Sequence, residues 1–83
     1  MVSIVKGECE ILMRTREDAV RLLAYKEACT DAAIEALTSF AASSRDPQVL
    51  SDLAAAYYIR AQRKDDPSDL VRALGVAEEA AKR

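Results

Sequence analysis

The chain has 83 residues, with twelve Lys and Arg side chains against fourteen Asp and Glu, no histidine, two glycines and two prolines. It forms one small domain with no basic patch and no apolar run near the ~18 residues of a membrane span, so we expect no nucleic-acid partner, no membrane partner and a cytoplasmic location. The low glycine and proline content predicts an all-α fold.

The N-terminal segment, residues 1–14, is compatible with a helix. The residues that this helix would turn inward are Ile4, Val5, Cys9 and Leu12. Cys9 and Cys29 are twenty residues apart, which is not a metal-ligand spacing, and two cysteines alone do not make a disulfide framework. We therefore expect two buried free thiols in a reducing cytosol, where cysteine packs as a small apolar residue.

Residues 15–44 predict one or two helices that form a degenerate repeat. Thr15 and Asp18 have the spacing of a capping box at a helix start. A fresh start at Thr30 or Asp31 is also favoured, because Thr and Asp prefer caps to helix interiors. The apolar residues that would then share one face are Ala33, Ile34, Leu37, Phe40 and Ala41. The sequence leaves open whether one long helix or two shorter helices form here.

Residues 45–83 carry the clearest pattern, a repeated Asp-Pro in "RDPQVL" and "DDPSDL". Aspartate caps helix N-termini and proline fits the first helical position, so helices should begin near 47 and 67. The short connection between them requires an antiparallel hairpin. Apolar residues at helical spacing predict the core of this hairpin: Leu50, Leu53, Ala54, Tyr57, Leu70, Ala73, Leu74, Ala77 and Ala80.

The residues from Pro47 to Ala80 resemble a tetratricopeptide repeat. This resemblance implies antiparallel helical hairpins that form a fragment of a right-handed solenoid, and a small helical bundle is the alternative fold. A large apolar residue, Leu, a small residue and Tyr at spacings of three, one and three are typical of the first helix of that family. Those positions are held here by Leu50, Leu53, Ala54 and Tyr57. In the second helix, Ala73, Ala77 and Ala80 fit the family's spacing, although Ala77 is smaller than usual. About seven extra residues, two helical turns, separate Tyr57 from the second helix.

Long-helix repeats of this texture resemble those that precede caspase-like CHAT protease domains in large bacterial proteins. A faint internal repeat accompanies the resemblance, because Ala36 and Leu37 overlay Ala73 and Leu74 with a shift of 37 residues. Solenoids need about three repeats for stability. The chain is therefore expected either to belong to a longer array or to cover its open apolar face with a second copy of itself.

The sequence predicts no enzyme and no cofactor. Without histidine, the commonest general base and metal ligand is missing, so no metal site is expected. Neighbouring carboxylates such as Asp65 and Asp66 point about 100° apart on a helix and do not converge on one substrate atom. Arg60, Arg63 and Lys64 cluster near a helix end, where cations are expected to face the dipole and the solvent.

Binding is the function that remains. The tetratricopeptide resemblance implies that the first helix of the hairpin lines a groove for a peptide or a partner helix. The candidate partner-binding residues are Gln48, Ser51, Ala55, Tyr58 and Gln62. Tyr58 is either an exposed aromatic anchor or a side chain packed on the preceding helix pair. Two alternatives to partner binding are a self-associating homodimer and a small bundle that binds an apolar ligand between its helices.

Overall fold

The computed structural model describes residue 9, residues 11–44 and residues 46–82. The expected inward positions of Ile4 and Val5 lie outside these residues. The described elements, in chain order, are α1 (Arg16–Tyr25), a short 3₁₀ helix (Glu27–Cys29), α2 (Thr30–Ser43), α3 (Pro47–Lys64) and α4 (Pro67–Ala81). No strand occurs among the described residues, so the all-α prediction is confirmed for them.

Local hydrogen bonds fix the start of three helices where the sequence predicts them. The Thr15 hydroxyl accepts a bond from the Asp18 amide, and the Asp18 carboxylate accepts one from the Thr15 amide, both at 3.2 Å. Asp46 and Asp66 accept bonds from the amides two residues further on, both at 2.9 Å. Each of these two aspartates is followed by proline at the first helical position. The helix starts at 47 and 67 are therefore confirmed.

Thr15→Ala should lower the free energy of unfolding by about 1 kcal/mol, because the capping bond at the start of α1 is lost. Chemical denaturation followed by circular dichroism measures the change. Thr38→Ala is the matched control. The Thr38 hydroxyl donates to the Ile34 carbonyl inside a helix, where alanine is intrinsically favoured. An equal loss for both variants would contradict a capping role for Thr15.

Residues 16–43 form two helices rather than one, which decides the alternative that the sequence left open. The chain is extended at Lys26 (φ −125°, ψ 93°) and then turns through the 3₁₀ helix. The Thr30 hydroxyl donates to the Glu27 carbonyl at 2.7 Å, at the start of α2. This break folds α2 back onto α1, so the described chain consists of two successive helix pairs.

The buried core joins the first helix pair to the inner side of α3. Its fully buried members include Ala33 and Leu37 from α2, Ala19 from α1 and Ala56 from α3. Small side chains at these positions let the helices approach closely, as the alanine content predicts. Among the described residues, the cluster is made of Cys9, Met13, Ala19, Leu23, Cys29, Ala32, Ala33, Ile34, Leu37, Leu53 and Ala56.

Cys9 and Cys29 form a disulfide, so the prediction of two free thiols is wrong. Their Cα atoms are 5.6 Å apart, a usual separation for bonded cysteines. Both residues are almost completely buried. The bond ties the segment before α1 to the joint between α1 and α2. In that segment Leu12 is exposed, contrary to prediction, and Met13 takes the buried position.

The turn between α3 and α4 is only two residues long. Asp65 adopts the left-handed conformation (φ 51°) that ends α3, which aspartate tolerates better than most residues. The Asp66 amide then donates to the Ala61 carbonyl at 3.1 Å. Because α4 begins immediately afterwards, it folds back along α3 and makes the predicted hairpin.

The rotation of α4 differs from the prediction. Leu70, Leu74 and Ala77 were expected in the hairpin core, but all three are exposed. The inward row is instead Asp69, Ala73, Val76 and Ala80, in which Asp69 and Val76 replace Leu70, Leu74 and Ala77 of the predicted row. Of the other predicted core residues, Leu50, Leu53 and Ala73 are buried, while Ala54, Tyr57 and Ala80 are half-buried.

A buried ion pair accounts for this rotation. The Asp69 carboxylate, 1% exposed, accepts two bonds from the Arg60 guanidinium of α3, at 2.7 and 2.8 Å. A buried carboxylate is costly unless it is paired. Apolar periodicity alone places the charged Asp69 in the solvent. The face of α4 predicted from periodicity therefore differs from the face that is buried in the structure.

Candidate protein-binding face

All five residues that the sequence assigned to partner binding are exposed along α3. Tyr58 is the largest of them and is 51% exposed. Its hydroxyl accepts a hydrogen bond from the Gln62 amide Nε2 at 3.1 Å, which holds the ring beside the glutamine one turn away. The row therefore offers one oriented aromatic side chain among small and uncharged neighbours.

The exposed side of α4 supplies a second row that the sequence analysis missed. Leu74 is 65% exposed and Leu70 is 42% exposed, and Ala77 continues the row. The spacing of four and three residues places all three on one side of the helix. The only sequence signal that could have revealed this row is Asp69, since an inward Asp69 turns Leu70 and Leu74 outward.

The two rows meet at the tip of the hairpin. Gln62 from α3 and Leu70 from α4 line one pocket of about 420 Å³, together with Ala61 and the turn residues. Because the helices run antiparallel from this tip, we group the two rows as one candidate surface. We call the combined surface the outer face. Its members are Gln48, Ser51, Ala55, Tyr58 and Gln62 of α3 and Leu70, Leu74 and Ala77 of α4.

The outer face carries no ionised side chain, although 31% of the residues in the chain are charged. Charged residues are depleted, and tyrosine is enriched, in the central part of protein interfaces. Glu78 and the exposed Val71 border the face on α4. Aspartates lie at the hairpin tip and Lys82 lies at the far end of α4. This composition suits contact with an apolar protein surface.

An ion-pair network fixes the hairpin behind the outer face. Arg60 bonds to Asp69 and, at 3.1 Å, to Asp31 at the start of α2, which also receives Lys64 at 2.9 Å. Arg72 approaches Asp69 at 2.9 Å. Hydrogen bonds from Arg60 and then Arg72 lower the pKa of Asp69 to about 2, against the opposing effect of burial. Asp69 is therefore ionised at neutral pH and ties α4 to α3.

The cation cluster at the end of α3 does not simply face the solvent, which corrects the expectation from the sequence. Arg63 Nη1 donates to the Leu23 carbonyl of α1 at 3.0 Å and to the Thr30 hydroxyl at 2.7 Å. The Arg60 guanidinium also lies 5.6 Å from the centre of the Tyr57 ring, within the range of a cation–π contact. Arg60 and Arg63 therefore connect the second helix pair to the first. Their hydrogen bonds and ion pairs fix the position of one pair against the other.

Tyr57 and Tyr58, although adjacent, lie on different surfaces. Tyr57 packs against the core and lines a second, open groove of about 620 Å³ with Met13, Ala36 and other residues of α2. Tyr58 lies on the outer face. Neighbouring residues on a helix point about 100° apart, which accounts for the division between the two rings.

Residues 9, 11–44 and 46–82 contain no cluster of three metal-binding side chains. None of the helices that the structure describes combines the length and apolarity needed to cross a bilayer. Comparisons with models of protein families, with curated proteins and with solved structures found no match to this chain.

Proposed function

We propose that the chain is a protein–protein interaction module, built like a tetratricopeptide repeat fragment, whose outer face receives a peptide or a partner helix. The observation that carries the proposal is the exposure of three large uncharged side chains on this hairpin, Tyr58 of α3 and Leu70 and Leu74 of α4. Two helix pairs connected by short turns, with small residues between them, support the comparison with that family.

The dimensions of the outer face fit a helix. The α3 row runs from Gln48 to Gln62, which corresponds to about 21 Å at 1.5 Å per residue. The α4 row runs antiparallel to it, and we propose that Tyr58 and Leu74 form the two sides of a shallow apolar channel. A partner helix of about four turns with leucine-sized side chains at three- and four-residue spacing would fill this channel.

The proposed role is binding without catalysis. The chain contains no histidine, and the buried carboxylate of Asp69 is bonded to two arginines, which leaves it unsuited to proton transfer at neutral pH. No cofactor is part of the proposal.

The cytoplasmic location remains a prediction of the sequence. Structural disulfides are rare in the cytosol and common in oxidising compartments, so the Cys9–Cys29 bond bears directly on it. Alkylation of thiols in intact cells, followed by mass spectrometry, gives the test. A fully alkylated pair supports the cytosol, whereas a protected pair contradicts a reducing location.

Site-specific photo-crosslinking tests the proposed function. A photoreactive amino acid is placed at Tyr58 or Leu74 on the outer face, and at the exposed Ala24 of α1 as the matched control. We expect one protein to be captured from both outer-face positions but not from Ala24. Binding of that purified protein should weaken at least about tenfold in Leu74→Asp, equal to a loss of about 1.4 kcal/mol. Equal capture from all three positions, or none from the outer face, would overturn the proposal.

A further inference from the structure

We infer that the occupant of the outer face is a second copy of this chain, packed antiparallel about a two-fold axis near Leu74. The inference rests on the proposed function, because it names the partner of the same surface. Its evidence is the charge pattern of the face, the sizes of the side chains along α4 and the charges at the two ends of the hairpin.

The charge pattern favours self-association over a charged partner. In a two-fold contact, each residue near the axis meets its own copy, so an ionised residue there would face its own charge. Leu70, Leu74 and Ala77 are uncharged, and Glu78 borders them one turn from Leu74. A face selected for an acidic or basic partner would instead carry the opposite charge.

In this arrangement the exposed row of α4 fits the same row of the second copy, because large side chains lie opposite small ones. With the axis between Ala73 and Leu74, Leu70 lies across from Ala77 of the second copy, and the reverse pairing follows from symmetry. Large side chains then meet small ones at both ends of the row, and the two Leu74 side chains pack together in the middle. Alternation of large and small residues is how helix surfaces interdigitate.

The charges at the ends agree with the same arrangement. Asp65 and Asp66 lie at the hairpin tip, and Lys82 follows the last residue of α4. An antiparallel copy brings the acidic tip near Lys82 of the other chain. Glu78, which borders the face, is displaced from its own copy by about 14 Å along the helix axis at 1.5 Å per residue. That separation exceeds the ~8 Å screening length at physiological salt.

Sedimentation with a charge-swap pair tests the inference. The wild-type chain should pass from monomer to dimer over about a hundredfold range of concentration. Leu74→Glu and Leu74→Lys should each remain monomeric because like charges meet at the axis. An equimolar mixture of the two variants should restore a heterodimer. Ala24→Glu serves as the control and should dimerise like the wild type. Since Leu74 is 65% exposed, unchanged circular dichroism should show that both variants keep their fold.

The contrary outcomes separate this inference from the proposed function. The wild-type chain could stay monomeric at every concentration and still crosslink to a different protein through Tyr58 and Leu74. That result would overturn the inference of a second copy and leave the proposed function standing. Capture of no protein at either position, its own copy included, overturns both proposals. A wild-type dimer that both Leu74 variants preserve, or a mixture that stays monomeric, overturns the antiparallel arrangement.

Discussion

Arg60→Met should lower the free energy of unfolding by about 3 kcal/mol or more, the cost expected when one partner of a buried ion pair is removed. Arg60 supplies two of the hydrogen bonds to the Asp69 carboxylate, and Asp69 is 1% exposed. Arg72 would remain beside Asp69 but is itself half exposed. The carboxylate would therefore be left largely buried with its main counter-charge gone. Urea denaturation at neutral pH measures the loss.

Two further variants distinguish the loss of the Arg60–Asp69 ion pair from other effects of replacing a cation on α3. Lys64→Met removes a cation that contacts Asp31 on the surface, where both side chains are more than half exposed, so its effect should stay within about 0.5 kcal/mol. The double variant Arg60→Met with Asp69→Leu should recover most of the stability, because apolar pairs replace buried ion pairs well. A double variant as unstable as Arg60→Met would show that Asp69 is not the reason for the loss.

Stability should also fall in acid through the same carboxylate. The folded-state pKa of Asp69 is lowered to about 2 by Arg60 and Arg72, whereas an aspartate in the unfolded chain titrates near 3.9. Its contribution is thus complete above about pH 4 and is lost between about pH 4 and pH 2, since the unfolded chain takes up its proton first. The pKa of Asp31 is also lowered, by Lys64 and Arg60, and acts in the same direction.

Acid titration of the double variant that lacks Asp69 and Arg60 tests this contribution, together with the part of the Asp31 contribution that depends on Arg60. Its free energy of unfolding should decline less steeply than that of the wild type between about pH 4 and pH 2. Identical slopes would show that other carboxylates carry the acid dependence.

Helix boundaries were predictable because their causes are local. Asp46 and Asp66 each precede a proline and accept a hydrogen bond from an amide two residues away. All the residues that make each interaction are therefore consecutive in the sequence. The rotation of α4 was not predictable in this way. It depends on an arginine nine residues upstream of Asp69 and on the hairpin that brings the two together.

The same distinction divides the candidate face. Tyr58 was assigned to an exposed row from the helical geometry of α3 alone. Leu70 and Leu74 were assigned to the core because apolar periodicity does not reveal that the carboxylate of Asp69, directly before Leu70, is buried. Sequence reasoning therefore found the half of the outer face that depends on one helix and missed the half that depends on contact between two.

The disulfide was missed for a similar reason, since Cys9 and Cys29 become neighbours only when the segment before α1 meets the joint after it. Replacing both cysteines with alanine should lower the free energy of unfolding by about 3 kcal/mol, because the bond closes a loop of about twenty residues in the unfolded chain. For a small domain of thin margin this is a large fraction of the total. Non-reducing denaturation of the wild type and the double variant measures it.

Reductant provides the internal control for that loss. Adding dithiothreitol should bring the wild type close to the double variant and leave the double variant unchanged, because only the wild type has a bond to break. A difference of about 3 kcal/mol corresponds to roughly a hundredfold change in the folding equilibrium. If dithiothreitol leaves the stability of the wild type unchanged and mass spectrometry under non-reducing conditions shows two free thiols, the chain folds without the disulfide. If the bond is present and its loss costs nothing, the core around Ala33 and Leu37 is sufficient to fix α1 against α2.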